Sequence, residues 1–301
     1  MKIRELDELP FPAWHLFDIK KYKVSKLISR NHPVAPIETS RGCVFSCTYC
    51  TKAVFGQKWT FKSVDRVVKE VEHLAESGFK EFHVFDDLFN TNLERAKQIC
   101  RELKERDLGV TYNLINGIRV NTVDEELVDL IVESGGYRAS FGVESGNQKV
   151  LNYIMKGTTL EQAKNAMRIT KDGGLERLAY FIFGMPTETE QTMQDTIDFA
   201  VEIEPDWAKA AIFTPFPGTP EYDRLLKQGH VVEENWENFT THDAKQTFKH
   251  PILDYETIEE YYKKFYKSFY FRPKYWAESF VSGVKTGSLP YEVGAFLTTG
   301  W

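Results

Sequence analysis

TLEQAKNAMRITKDGGLERLAYFIFG, residues 159–184, contains one complete structural unit of this chain. Thr159 and Gln162 have the spacing of a capping box, in which the threonine hydroxyl takes the backbone N–H three residues on and the glutamine side chain reaches back. The helix so opened halts at Gly173-Gly174, because glycine takes the left-handed backbone that ends a helix. Residues 178–183 follow as a strand, apolar throughout, which suits a parallel sheet buried on both faces.

The same grammar runs outward in both directions. Upstream, residues 32–39 read as a first strand that leads into a cysteine-bearing loop. Ser63 caps a helix with Val64, Val67, Val68, Val71 and Leu74 at helical spacing, ended by Gly78. Residues 81–85 form a second strand. Thr91 and Glu94 make a capping box for a helix through Leu103. A third strand covers 110–114, a box at Thr122 and Glu125 opens a helix that stops at Gly135-Gly136, and 138–143 is the fourth strand. Downstream, 190–204 is helical, 207–214 is the sixth strand, and Pro220 takes the first position of a short helix. Six strands alternating with helices imply an α/β fold of parallel units closing part of a barrel, although a doubly wound sheet would produce a similar string.

At 301 residues the chain is long enough for one barrel-sized domain. Its 42% hydrophobic and 27% charged residues are ordinary for a globular protein. A net charge of −6 gives no electrostatic reason to expect nucleic acid as a partner. No apolar run is long enough for a membrane span, and the first residues lack the apolar stretch of a secretory signal. The expected location is the cytoplasm, where clustered cysteines signify metal or redox chemistry rather than disulfides.

Those cysteines stand at Cys43-Val-Phe-Ser-Cys47-Thr-Tyr-Cys50, with Cys100 far away on a helix beside Ala96, Ile99 and Leu103, where it reads as core. Thiolates are soft ligands suited to zinc, copper(I) and iron–sulfur clusters. Structural zinc usually takes four closed ligands in two pairs, whereas this is a triplet. Three thiolates on a [4Fe–4S] cluster would leave one iron open for chemistry. A zinc site completed by His83 is the alternative, and His83 inside a strand is itself more readily a core residue.

With Tyr49 before its last cysteine, the triplet resembles the signature of the radical S-adenosylmethionine (SAM) enzymes, whose fold is a partial (β/α)6 barrel. The resemblance implies a [4Fe–4S] cluster on Cys43, Cys47 and Cys50, and SAM cleavage to a 5′-deoxyadenosyl radical that abstracts a substrate hydrogen. It further implies SAM contacts at Tyr49, at Asp86 and Asp87 after the second strand, at Glu144 after the fourth, and at Ile182 and Gly184 of the fifth. Phe85-Asp86-Asp87, Gly184-Met-Pro-Thr187-Glu188 and Thr214-Pro-Phe-Pro-Gly-Thr219 look like the cobalamin-type branch, which has glycine where this chain has Thr187. Arg119 is a further match that would line the pocket. Lys156 would be a counter-charge to Glu144, or simply an exposed lysine.

Residues 9–18 resemble the connector that follows a cobalamin domain in that branch, and they begin almost at Met1. The expectation is therefore a barrel without its own cobalamin domain, any cobalamin arriving on a separate domain or protein. The division expected is a connector at 1–33, the barrel at 34–225 and an aromatic-rich helical region at 226–301. There, Ile258, Tyr262, Phe265 and Phe269 form a stripe read as core, and residues 269–273 resemble the tail that closes the barrel. A small-molecule substrate and an electron donor such as a flavodoxin or ferredoxin are the implied partners. The rival readings are a methyltransferase core and a non-catalytic iron–sulfur or zinc module.

Overall fold

The structure, a computed structural model, describes residues 5–233, 235–241 and 247–298. Strands β1 (Val34–Ile37), β4 (Glu81–Val84), β5 (Thr111–Ile118), β6 (Gly136–Glu144), β7 (Glu176–Phe183) and β8 (Trp207–Ile212) form one sheet in that order. Every pairing in it is parallel. The order never reverses, as it would in a doubly wound sheet, so the strands wind one way into a partial barrel. A minor antiparallel pair, β2 (Ser40–Arg41) with β3 (Thr60–Phe61), braces the loop after β1.

Helices α1 (Val64–Glu76), α2 (Leu93–Arg106), α3 (Glu125–Glu133), α4 (Gln148–Tyr153), α5 (Leu160–Asp172), α6 (Glu190–Ile203) and α7 (Pro220–Lys227) connect the strands. The box at Thr159 and Gln162 forms as expected, and Ser63 and Thr219 cap α1 and α7. Two expected caps are corrected. Asn92 caps α2 and Asp124 caps α3, accepting from Arg95 and Leu127. Thr91 and Thr122 instead sit in 3-10 turns, their hydroxyls donating back to Leu88 O and Arg119 O. The third strand also outruns its expected end at 114. It continues through a register shift to Ile118, where Gly117 at φ +110° passes so close to β6 that a Cβ would lie 2.7 Å from Ser140 O.

Both ends of the chain complete the barrel. The segment before β1 packs its Trp14 edge-on against Phe79 at 5.0 Å, and Phe11 lies under Arg66. Its last turn plugs the barrel floor: Glu81 accepts from the Arg30 and Asn31 amides, while Arg138 and Tyr137 donate to Leu27 O and Ile28 O. At the other end lie α8 (Tyr255–Tyr270), α9 (Pro273–Thr286) and α10 (Leu289–Thr298). The stripe of α8 is core, with Ile258, Phe265 and Phe269 buried against α6 and the sheet. The helix also closes the free edge of β8. Tyr270 Oη accepts from Ala208 N at 3.1 Å and donates to Ala208 O at 2.7 Å, and Tyr266 does the same at Ala210. These hydroxyls satisfy backbone groups that a neighbouring strand would otherwise pair.

Candidate active site

Parallel strands deliver their functional residues to their C-terminal ends, and the loop after β1 lies over that rim. The loop is tied down at three points and braced within itself at a fourth. Gly42 N donates to Asp87 Oδ2 at 2.7 Å, Thr48 N to Ile154 O at 3.0 Å, Glu221 N to Thr48 O at 3.0 Å, and Lys52 Nζ to Cys43 O at 3.3 Å. Gly42 is required: at φ +85°, a Cβ would fall 2.3 Å from Lys58 O. The stiff Pro-Phe-Pro-Gly stretch before α7 is thus one wall of the cysteine loop, with Thr51 near Gly218 O.

Cys43, Cys47 and Cys50 are free thiols and line one open cavity of about 530 Å³ with Tyr49, Asp87, Arg119, Glu144 and Ile182. Burial pushes the Cys50 thiol up to about 12, with the neighbouring Cys47 adding to the effect. Among the described residues no three His, Cys, Asp or Glu side chains gather tightly enough for a single metal ion. The thiols instead share the wall of a space with room for a larger group, which fits a cluster held by three cysteines. His83 is not available as a fourth zinc ligand. It lies buried in the barrel, its Nε2 2.8 Å from Glu81 Oε1.

The tandem aspartates divide their work. Asp87 is on the cavity wall, but Asp86 is buried behind the loop and is not a lining residue. Its carboxylate accepts from Thr39 N at 2.6 Å, Thr39 Oγ1 at 2.5 Å and Ser40 Oγ at 2.7 Å. Burial holds its pKa above the usual carboxylate range against those hydrogen bonds. Gly184 likewise lies off the cavity, under Ile258 of α8, at φ +81°. It begins a turn in which Glu188 Oε2 accepts from Met185 N at 2.9 Å. Thr187, where the cobalamin-type branch has glycine, is exposed and has no positive φ, so the turn does not need glycine there.

Glu144 ends β6 in a left-handed conformation, φ +69°. Its Oε1 accepts from Tyr49 Oη at 2.8 Å and from Lys156 Nζ at 2.6 Å, while Oε2 takes part in neither bond. Burial raises the Tyr49 hydroxyl well above its ordinary pKa, keeping it a neutral donor. The expectation of an exposed Lys156 is corrected: it is only 9% exposed. Gly142 makes its place, since a Cβ there would lie 2.4 Å from Glu144 Oε1 and 2.8 Å from Lys156 Nζ. Arg119 lies 3.5 Å over the Phe45 ring and donates to Asn121 Oδ1 and to Lys156 O. It supports both the middle of the cysteine loop and the lysine that holds Glu144. Phe45 and Gly42 carry no local sequence signal for these roles.

Residues 37–200 match the family model described as Radical SAM superfamily. An uncharacterized methyltransferase of Pyrococcus horikoshii is 35% identical over 274 residues, covering 90% of this chain and 58% of that protein. The cytidylyl-2-hydroxyethylphosphonate methyltransferase of Streptomyces wedmorensis is 34% identical, covering 88% of this chain and 52% of its own length. The chain therefore spans about half the length of these relatives. Among solved structures, the radical SAM methyltransferase TsrM of Kitasatospora setae, with cobalamin and a [4Fe–4S] cluster bound, superposes with a TM-score of 0.62. It is 21% identical, covering 77% of this chain and 47% of that one, and the likeness is one of fold.

Proposed function

We propose that this chain, which belongs to the radical SAM superfamily, is the barrel of an enzyme that cleaves SAM reductively and so takes a hydrogen atom from a small-molecule substrate. The observation that carries this reading is the meeting of three free cysteines with the Glu144–Tyr49–Lys156 group on one cavity at the strand ends. Cys43, Cys47 and Cys50 would hold a [4Fe–4S] cluster, which when bound supplies the electron for SAM cleavage and an open iron for SAM.

The remaining residues bind and orient. Glu144 Oε1 is held by two donors, which leaves Oε2 to accept from the SAM ribose hydroxyls. Asp87 would receive the methionyl amino group, and Ile182 would flank the adenine. Asp86 acts at one remove, by fastening Thr39 and Ser40 at the root of the cysteine loop. Gly184 shapes the turn under α8. A flavodoxin or ferredoxin would supply electrons in the cytoplasm. No helix among the described residues is long and apolar enough to cross a membrane.

A second reading is methyl transfer, favoured by the names of the two relatives, with cobalamin, which the TsrM structure holds, bound by another domain or chain. The test common to both is anaerobic. The protein is reconstituted with iron and sulfide, given dithionite and SAM, and 5′-deoxyadenosine is quantified by mass spectrometry, with and without added cobalamin. Formation that disappears in Cys47→Ala is expected; cleavage retained in that variant overturns the cluster assignment. S-adenosylhomocysteine formed only with added cobalamin selects the second reading.

A further inference from the structure

Gly142, Tyr180 and Lys209 stand in register on β6, β7 and β8. Residues paired across parallel strands present their side chains to the same face, and all three line the cavity. The Glu144 carboxylate and the Lys156 ammonium meet at the Gly142 position, and Lys209 lies two strands across from it, roughly 10 Å at ordinary strand spacing. The charges on the wall are Asp87, Glu144, Arg119, Lys156 and Lys209. Four of them have partners: Asp87 accepts from Gly42 N, Glu144 pairs with Lys156, and Arg119 is spent on Phe45, Asn121 and Lys156 O.

Lys209 is different. Among the described residues no carboxylate lies within ion-pair distance of it, and it remains exposed within the cavity. Ile182 and Ala211 make the wall above it apolar, and Tyr180 is its register neighbour on β7. A single unpaired ammonium on an apolar stretch of pocket wall is the arrangement that orients an anionic ligand.

We infer that the substrate carries an anionic oxygen group, a carboxylate or a phosphate-type group, that seats on Lys209 Nζ beside Tyr180. The inference rests on the proposed placement of SAM against Glu144, which leaves the β8 side of the cavity to the substrate.

The cluster-reconstituted full chain, saturated with SAM, is titrated anaerobically at constant ionic strength. Inorganic pyrophosphate is the probe in one arm and citrate in the other, with binding read from phosphorus and proton line broadening of the probe. At least one probe is expected to saturate. Its Kd should rise about tenfold in Lys209→Met, the loss of one charge-assisted contact, and recover in Lys209→Arg. The responding arm identifies the anion as phosphate-type or carboxylate. Absence of binding by both probes, equal affinity in Lys209→Met, or expulsion of the probe by SAM overturns the inference. Production of 5′-deoxyadenosine by the same wild-type preparation is read separately. Its absence alongside Lys209-dependent binding would count against SAM cleavage and not against the anion site.

Discussion

Removing Lys156 tests the central claim that Glu144 is held in place rather than merely present. In Lys156→Met the Glu144 carboxylate loses its 2.6 Å ammonium partner and keeps only the Tyr49 hydroxyl. Both side chains are about nine-tenths buried, with exposures of 11% and 9%. Breaking a buried pair by deleting one partner costs ~3–5 kcal/mol, because the other charge is left behind. The open cavity lets Glu144 Oε2 reach water, which places the expected loss near ~3 kcal/mol, or roughly 5 °C in Tm for a chain of this size. Glu144→Gln in the Lys156→Met background removes the stranded charge. The double variant should therefore be at least ~1.5 kcal/mol more stable than the sum of the single effects. Chemical denaturation of the four proteins supplies the cycle, and equilibrium dialysis of SAM into each reconstituted protein supplies a functional readout. SAM binding should weaken about tenfold in both single variants, in Lys156→Met because Glu144 is no longer aimed. Additivity within ~0.5 kcal/mol, or unchanged SAM affinity in Lys156→Met, would show that the contact neither couples the residues nor positions Glu144.

Two further outcomes concern the frame around the site. Burial pushes the Glu188 carboxyl up to about 8, and its Oε1 has no partner among the described residues. A pKa raised by folding means that the protonated form is favoured in the native state. The associated stability is complete below the ordinary carboxyl value and is lost as pH rises through about 8. At ~1.4 kcal/mol per pH unit, the displacement from 4.5 to about 8 is worth on the order of 5 kcal/mol. Denaturation midpoints measured from pH 4 to pH 9 should fall more steeply for the wild type than for Glu188→Gln, and parallel curves would refute the assignment. Tyr270→Phe removes the hydroxyl that serves both Ala208 N and Ala208 O, and should cost ~1–3 kcal/mol. Hydrogen exchange at the Ala208 amide should accelerate in that variant while Ala210, served by Tyr266, keeps most of its protection; equal protection of Ala208 in both proteins would discount the edge-capping role.

Features written in local chemistry were legible in the chain alone. The capping box at Thr159 and the Ser63 cap depend on side chains meeting backbone a few residues away, and the strands read at 81–85 and 178–183 lie within two residues of Glu81–Val84 and Glu176–Phe183. The cysteine triplet is equally local, since a short loop can present three thiols to one space whatever the rest of the chain does. Where two local signals competed, the sequence left the outcome open: Asn92 and Asp124 outbid the neighbouring threonines because strand-end turns had already drawn Thr91 and Thr122 away. Only the tertiary structure decided the site's working parts. Tyr49 and Glu144 are 95 positions apart and meet because β6 ends beneath the cysteine loop. Asp86 and Asp87 are adjacent and identical in kind, yet successive residues leave a strand end in opposite directions, so one clamps the loop and the other faces the cavity. Lys156 reads in sequence as an ordinary surface lysine. It is buried because Gly142, fourteen residues earlier on the wall, has no side chain to occupy its place.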